Sequence, residues 1–287
     1  MRQFVLPSDW DGSPDLRLGG RESRHLIRVL RLVVGDRFPA IDAGGRPYTC
    51  EIQSIEAGMV RVAVFPRAPE ARPEAELPDL RGGKVKSDGA KAAGVGVDEG
   101  HGIGNRIRRF PRIILAAALL KGEKFDLVLR QATEAGVSRI IPLATARSLG
   151  LPSSKARLER QHRIIREALQ QSGSPIPTSF EESAELRDLP ARLGRQVGTR
   201  LPLLLHETPL AEASLHEYLG QRPDEIVVCV GPEGGFAPEE VTFLLDAGFL
   251  PLHLPGAVLR AETAALYAIA AIEIVAAEHD SWIRAQT

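Results

Sequence analysis

The sequence has almost no net charge and very few cysteines. Lys and Arg number 36 against 37 Asp and Glu, which gives a net charge of −1 at pH 7. Any nucleic-acid site must therefore be a local basic patch and not a property of the whole surface. Cys50 and Cys229 are too few for a disulfide framework, and they lack the close Cys/His pairs of a zinc site. We predict two buried thiols and no metal site.

Long hydrophobic runs are also missing. The longest uninterrupted apolar run extends from Ile113 to Leu120 and ends at Lys121, whereas a helix needs about 20 such residues to cross a bilayer. Pro7 and Asp9 stand where a secretory segment would have its apolar core. We therefore expect no membrane span and a cytoplasmic location. A length of 287 residues favours two domains.

Residues 4 to 66 consist of short alternating runs separated by turn residues, which predicts a small β-rich domain. One helix is predicted inside it, from Arg21 to Leu32. Its apolar face would hold Leu26, Val29, Leu30 and Val33. Another face would carry a basic stripe to which we assign RNA binding, the alternative being a solvated helix face: Arg24, Arg28 and Arg31.

The rest of the chain changes character twice. Residues 71–111 are rich in Gly and Lys with almost nothing to bury, which predicts a flexible linker or insertion between domains at 1–70 and 112–287. Beyond it, strands are predicted at 113–119, 139–144, 201–205 and 225–230, and helices at 122–135 and 154–172. This alternation indicates an α/β fold with a parallel sheet. A last helix at 263–277 is apolar nearly all round, so we expect it to be buried against another surface such as a second subunit.

One loop, at residues 230–240, leaves an apolar strand and enters a helix near Pro238. Its glycines would let the backbone approach a ligand closely. Their spacing fits neither a dinucleotide fingerprint nor a phosphate loop. Glu233, Glu239 and Glu240 would disfavour a phosphate at the helix start. The loop is therefore either a structural turn or a site for a neutral or cationic ligand at the carboxyl end of the sheet.

A second loop, at residues 252–263, places Arg260 and Glu262 in an apolar segment, where burying either charge alone would be costly. Arg260 either pairs with Glu262 or Thr263 in a capping arrangement or faces a substrate oxygen. His206 ends the strand at 201–205 and is either a base or a polar strand end.

Several segments together resemble one family. Val230–Phe236, Leu259–Ala264, Lys121–Phe125 and Gln131–Val137, with Arg147-Ser148 and residues 167–172, resemble the RsmE family of 16S ribosomal RNA uracil-N3 methyltransferases, of the SPOUT class. The resemblance covers nearly the whole chain except residues 67–112. It implies a PUA-like β-barrel domain followed by an α/β domain with a C-terminal trefoil knot, an exception to the usual absence of knots. It also implies a homodimer.

The resemblance further implies S-adenosylmethionine as cofactor. This cofactor is a cation without phosphate, which agrees with the acidic residues of the loop at 230–240. It would be bound in the knot by Leu205, His206, Glu207, Gly231, Pro232, Glu233, Gly234, Gly235, Leu254, Pro255, Gly256, Val258, Leu259 and Thr263. Lys121 joins the three arginines as a predicted contact to 16S rRNA. One departure stands out: Leu254–Arg260 reads Leu-Pro-Gly-Ala-Val-Leu-Arg where the family usually has Leu-Gly-x-Arg-Ile-Leu-Arg.

Methylation at uracil N3 requires loss of the imide proton and stabilisation of charge on the flanking carbonyl oxygens. An arginine suits the second task because it stays charged and donates several fixed hydrogen bonds, so Arg260 or Arg147 is the hypothesis. Glu262 and His206 are candidate bases, although Glu262 also suits a structural role at a helix start. The alternatives are a methyltransferase for another RNA site and a non-catalytic RNA-binding or ribosome-assembly protein. A nicotinamide oxidoreductase is disfavoured by the missing fingerprint.

Overall fold

A computed structural model describes residues 3–56, 58–67, 110–148, 154–196, 198–211 and 213–284, with side chains to residue 279. The segment predicted as a linker, 71–111, lies outside the described residues except for its last two positions. The described chain forms an N-terminal domain up to residue 67 and a second domain from residue 110 onward.

The N-terminal domain is built on a five-stranded sheet. Its strands are β1 (Phe4–Val5), β2 (Asp15–Leu18), β3 (Arg37–Ile41), β4 (Pro47–Glu56) and β5 (Met59–Pro66), in the order β1-β3-β4-β5-β2. Strand β5 shows why the sequence folds this way, since alternate residues are buried and face one core. The predicted β-rich domain is confirmed.

The helix predicted at Arg21 to Leu32 is wrong in length. Helix α1 spans Gly20–Arg24 and continues only as a π-helical turn at His25–Val29. The wider turn shifts the following residues off the expected face. Val29 and Val33 are therefore 65% and 60% exposed, not buried, while Leu26 is in the core. Arg31, with a φ of 56°, lies beyond the helix and out of line with Arg24 and Arg28.

The second domain contains a parallel sheet with helices on both faces. Its strands are β6 (Arg112–Ala118), β7 (Arg139–Ala144), β8 (Ser179–Phe180), β9 (Ala184–Glu185), β10 (Arg200–Leu205), β11 (Glu225–Val230) and β12 (Leu250–Leu252). Their order is β12-β10-β11-β6-β7-β8, with β9 also paired to β7. The helices are α2 (Lys124–Glu134), α3 (Lys155–Ser172), α4 (Leu189–Leu193), α5 (Leu215–Gly220), α6 (Pro238–Asp246) and α7 (Ala261–Arg284).

Both faces of this sheet are covered, which explains its continuous apolar strands. In β6 every residue after Arg112 is buried. Helices α2, α3 and α7 pack on one face, and residues 186–193 with α6 pack on the other. Both cysteines are buried as predicted, and burial raises the pKa of Cys50 to about 12 and that of Cys229 further.

The last helix is longer than predicted. Helix α7 begins at Ala261, two residues earlier than expected, and returns from the sheet edge to pack against β6 and β11, the region where the resemblance places a knot. Tyr267 and Ile274 are 52% and 59% exposed in the single chain, so burial of this face against a second surface stays a prediction. Among the described helices, none combines the length and apolar character needed to span a membrane.

Candidate functional site

Three strands end side by side at one edge of the parallel sheet. Leu205 of β10 is in register with Val230 of β11 and with Leu252 of β12, so the loops that follow them meet. They enclose an open cleft of about 830 Å³, a volume that includes its mouth. Its lining is Leu205, His206, Glu207, Val230, Gly231, Pro232, Glu233, Gly235, Phe236, His253, Leu254, Gly256, Ala257, Val258, Leu259, Ala261 and Ala264.

The glycine-rich loop after β11 leaves no room for a side chain at its first position. A Cβ on Gly231 would lie 3.2 Å from the ring of Phe236 and 3.3 Å from the backbone nitrogen of Phe236. Phe236 is itself buried against the sheet, so it has little freedom to move away. Glycine at this position therefore allows the loop to fold back tightly at the floor of the cleft.

Two carboxylates fix the same loop. Glu240 of α6 accepts hydrogen bonds from the backbone amides of Ala237 at 2.8 Å and Ala146 at 2.7 Å. Glu233 accepts a hydrogen bond from Lys124 Nζ at 2.8 Å. Partial burial acts to raise the pKa of Glu233, but the bond from Lys124 and the nearby backbone amides outweigh it, so the pKa lies below its ordinary value. Glu233 thus places at the cleft a carboxylate that is paired with the Lys124 ammonium.

Arg147, one of the two arginines considered for a substrate oxygen, contacts the glycine loop. Its Nη1 donates to the carbonyl oxygen of Gly234 at 2.7 Å, and neither residue lines the cleft. The loop is therefore tied to the end of β7 by Arg147 as well as by Glu240. This geometry assigns Arg147 to the positioning of the loop.

Two histidines from neighbouring loops are oriented by backbone groups. His206 Nδ1 lies 3.1 Å from the amide nitrogen of Thr208 and 3.4 Å from the carbonyl oxygen of Thr208. The amide contact is the shorter one, and when Nδ1 accepts it the proton of the neutral ring is on Nε2. His253 Nδ1 lies 3.3 Å from the carbonyl oxygen of His206; when it donates to that oxygen, Nε2 of His253 is a proton acceptor. Both residues line the cleft.

Most residues predicted to bind the cofactor meet in this cleft. All but Gly234, Pro255 and Thr263 are part of its lining. The predicted cofactor-binding set lacks six lining residues: Val230, Phe236, His253, Ala257, Ala261 and Ala264. His253 follows β12 directly, so its position, though no motif, could have marked it as a site residue.

The charged residues of the third loop lie outside the lining. The Arg260 side chain is exposed, while its carbonyl oxygen accepts from the amide of Ala264 at 2.8 Å in the first turn of α7. Glu262 is only 8% exposed, and its Oε2 has no hydrogen-bond partner among the described residues. The expected pairing of Arg260 with Glu262 is not among the contacts of the described chain. At the start of α7, the capping contact of Arg260 is therefore made by its backbone carbonyl oxygen and not by its side chain.

Comparison with known sequences identifies both domains. A sequence profile described as an RNA methyltransferase domain matches residues 108–273, and one described as an RNA methyltransferase PUA domain matches residues 18–64. The fold and the cleft thus define an RNA methyltransferase with a PUA domain. The N-terminal sheet is PUA-like and forms a half-barrel, since β1 and β2 remain at its two edges.

Similar proteins identify the family within this class. Ribosomal RNA small subunit methyltransferase E of Synechocystis is 30% identical over 256 residues, which cover 86% of this chain and 69% of that protein. The chain belongs to the RsmE family of ribosomal RNA small subunit methyltransferases.

Solved structures share the fold. The family member from Neisseria gonorrhoeae, bound to S-adenosylmethionine, has a TM-score of 0.72 at 22% identity and covers 96% of this chain and 98% of its own. A methyltransferase from Legionella pneumophila, also in complex with that cofactor, has a TM-score of 0.70 at 24% identity, covering 95% and 97%.

Proposed function

We propose that the protein transfers a methyl group from S-adenosylmethionine to N3 of one specific uridine in 16S rRNA, and that it does so in the cytoplasm. The observation that carries this proposal is the cleft formed by the three loops after β10, β11 and β12. It lies at the sheet edge where ligands bind in parallel α/β folds, in a chain of a small-subunit rRNA methyltransferase family.

The chemistry of the cleft fits this cofactor. Leu205, Leu254, Val258 and Leu259 offer apolar surface for an adenosine. The Glu233 carboxylate, paired with Lys124, supplies acceptor oxygens that suit a cationic sulfur better than a phosphate. Among the described residues, no Lys or Arg lines the cleft, so a phosphate-bearing ligand would have no counter-charge there.

The reaction needs a proton acceptor and a donor to oxygen. When bound, S-adenosylmethionine supplies a methyl group on a positively charged sulfur, which departs with the electron pair of the broken S–C bond. We propose that His253 Nε2 takes the N3 proton while N3 forms the new bond to carbon, because His253 is the cleft histidine with a free acceptor. Arg260, between the lining residues Leu259 and Ala261, would donate to the uracil carbonyl oxygens.

The sequence-based candidates for the base suit this role less well. Glu262 is only 8% exposed at the start of α7, unlike the exposed Arg260, and His206 Nδ1, when it accepts from Thr208, leaves the ring with an N–H where an acceptor is needed. His253 therefore replaces both in the proposed mechanism. Arg147 positions the glycine loop and leaves Arg260 as the proposed oxygen-stabilising group.

The exposed face of α7 fits the homodimer. Tyr267 and Ile274 lie two turns apart on that face. A second copy of this chain would bury both side chains, and we propose that the active form is a dimer through the second domain. Light scattering of the full chain that gave the monomer mass of 31.1 kDa would contradict this.

Gly231→Val is expected to weaken binding of S-adenosylmethionine at least tenfold, which corresponds to about 1.4 kcal/mol. The added side chain would overlap the ring of Phe236 and push the loop into the cleft. Isothermal titration with the cofactor measures the effect. Gly220→Val is the matched control, since no atom lies within 4 Å of the Cβ position there. Equal affinities for the two variants would refute this account of the loop.

The function itself is tested by methyl transfer from labelled S-adenosylmethionine to small ribosomal subunits that lack the modification. We expect 3-methyluridine at a single 16S rRNA position, mapped by mass spectrometry. Cofactor binding without transfer to subunits or to free 16S rRNA would instead favour a non-catalytic assembly role. A methylated nucleotide elsewhere would reassign the substrate.

A further inference from the structure

Helix α3 is strongly basic in a chain that is nearly neutral. It has five basic and two acidic residues, whereas the whole chain has a net charge of −1: Lys155, Arg157, Arg160, Arg163 and Arg166 against Glu159 and Glu167. Three of these arginines follow one another at intervals of three residues and are exposed. We call Arg160, Arg163 and Arg166 the α3 arginine row. The opposite face of the helix is buried against the sheet, so the row faces solvent.

One end of the row adjoins the N-terminal domain. Arg166 Nη1 lies 3.6 Å from Glu22 of α1, and Arg21 of α1 forms an ion pair with Glu167. The buried side chain of Gln3 donates to the carbonyl oxygens of Leu169 at 3.3 Å and Ser174 at 2.7 Å. These contacts hold α1 against the C-terminal end of α3.

They also align two sets of basic residues. Arg24 and Arg28 follow Arg21 along α1 and its π-helical turn, and both are exposed. The basic residues that the sequence predicts on the N-terminal domain therefore lie on the element that meets the C-terminal end of α3, across the ion pairs of Glu22 and Glu167.

The other end of the row approaches the cleft. Arg160 Nη2 lies 2.6 Å from Asp126 Oδ2 and 3.3 Å from Glu123 Oε1, at the start of α2. The neighbouring Lys124 bonds to Glu233 on the cleft loop. The row thus runs from the contact with the N-terminal domain toward the edge of the cleft. Because an α-helix rises about 1.5 Å per residue, the three arginines are spread along this path.

We propose that the α3 arginine row binds the phosphate backbone of the substrate RNA between its contact on the N-terminal domain and the target base at the cleft. This inference rests on the proposed function. The partner is RNA because the exposed arginines of α1 and α3 lie on adjoining elements of an RNA methyltransferase with a PUA domain, and the far end of the row neighbours the cleft loop through Lys124 and Glu233. Arg163, in the middle, has no acidic partner among the described residues. Phosphate contacts of this kind supply affinity and register, not sequence specificity.

The test replaces the central arginine. Arg163→Gln and Arg163→Ala remove the charge, and Arg187→Ala is the matched control, an exposed arginine beside the opposite face of the sheet. Binding of each variant to unmodified 16S rRNA is measured over a series of salt concentrations. For each phosphate that a variant no longer neutralises, the slope of log K against log salt should become shallower by about 0.7 for single-stranded RNA or 0.9 for a duplex. Arg187→Ala should keep the wild-type slope.

Two further readouts separate this surface from the cleft. Cofactor affinity and the thermal unfolding midpoint of both Arg163 variants should match the wild type, because Arg163 touches neither the cleft nor the core. An unchanged salt slope in both variants would overturn the proposal. So would a loss of affinity for assembled subunits without a loss for free rRNA, since the row would then contact a ribosomal protein. If RNA binding depends on Arg163 but the wild-type protein transfers no methyl group, the proposed function is wrong. The proposal that the α3 arginine row binds RNA would then still stand.

Discussion

Arg260→Ala is expected to lower kcat for methyl transfer by about 10²- to 10³-fold, the usual loss when one donor to a developing negative charge is removed. The Arg260 side chain is exposed, and it lies between two residues that line the cleft. Its structural role, carried by the carbonyl oxygen that accepts from Ala264, belongs to the backbone and survives the substitution. Stability and cofactor affinity should therefore stay near the wild-type values. Single-turnover methylation of unmodified subunits measures the rate.

Two variants make this result specific. Arg260→Lys keeps the charge but loses the planar fork, so it should restore only part of the rate. Arg147→Ala should act differently, because Arg147 holds the carbonyl of Gly234: we expect a higher KM for the cofactor with a smaller change in kcat. If Arg260→Ala kept full kcat, or if only Arg147→Ala lost kcat, Arg147 and not Arg260 would be the group that stabilises the uracil oxygens.

The sequence was most informative where burial is continuous. The strands predicted at 139–144 and 225–230 coincide with β7 and β11, because the apolar runs there are covered on both faces. The predicted end of the preceding helix at Gly136 is also confirmed, since that glycine has a φ of 82° and follows the last turn of α2. Such features depend on local pattern and local backbone preference.

The errors arise where geometry departs from an assumed period. A helix of 3.6 residues per turn places Val29 and Val33 in the core, but the π-helical turn at His25–Val29 displaces both. The burial of helix α7 stays a prediction, because hydrophobicity shows that a surface must be covered but not whether the same chain or a second copy covers it.

The functional site likewise combines features that the sequence predicts with features that only the structure shows. The three loops that line the cleft were predicted through the family resemblance, and most of their residues meet as expected. The contacts that set their roles join distant parts of the chain. Arg147 reaches Gly234, and Glu240 reaches Ala146, across 87 and 94 residues of sequence. No local pattern encodes such pairs, so only the structure shows that the side chain of Arg147 bonds to the glycine loop.

His253 is the clearest case of a role set by a distant group. Its ring orientation depends on the carbonyl oxygen of His206, 47 residues away. His253→Asn should keep the hydrogen bond, because the Asn amide nitrogen takes the place of Nδ1, but it has no acceptor in the place of Nε2. We expect kcat to fall by about 10²- to 10⁴-fold, the usual contribution of a positioned base, with cofactor affinity preserved. Single-turnover rates and isothermal titration measure the two quantities.

The matched control is His206→Asn, in which the side-chain oxygen can still accept from the amide of Thr208 as Nδ1 does. Its kcat should stay close to the wild-type value, because the His206 ring offers no acceptor to the uracil. Added imidazole should restore part of the methylation rate of a smaller variant, His253→Gly, because a free base can occupy the vacated space. It should not change the methylation rate of Arg260→Ala. If His253→Asn methylates at the wild-type rate, the N3 proton passes directly to water and His253 has no part in its transfer.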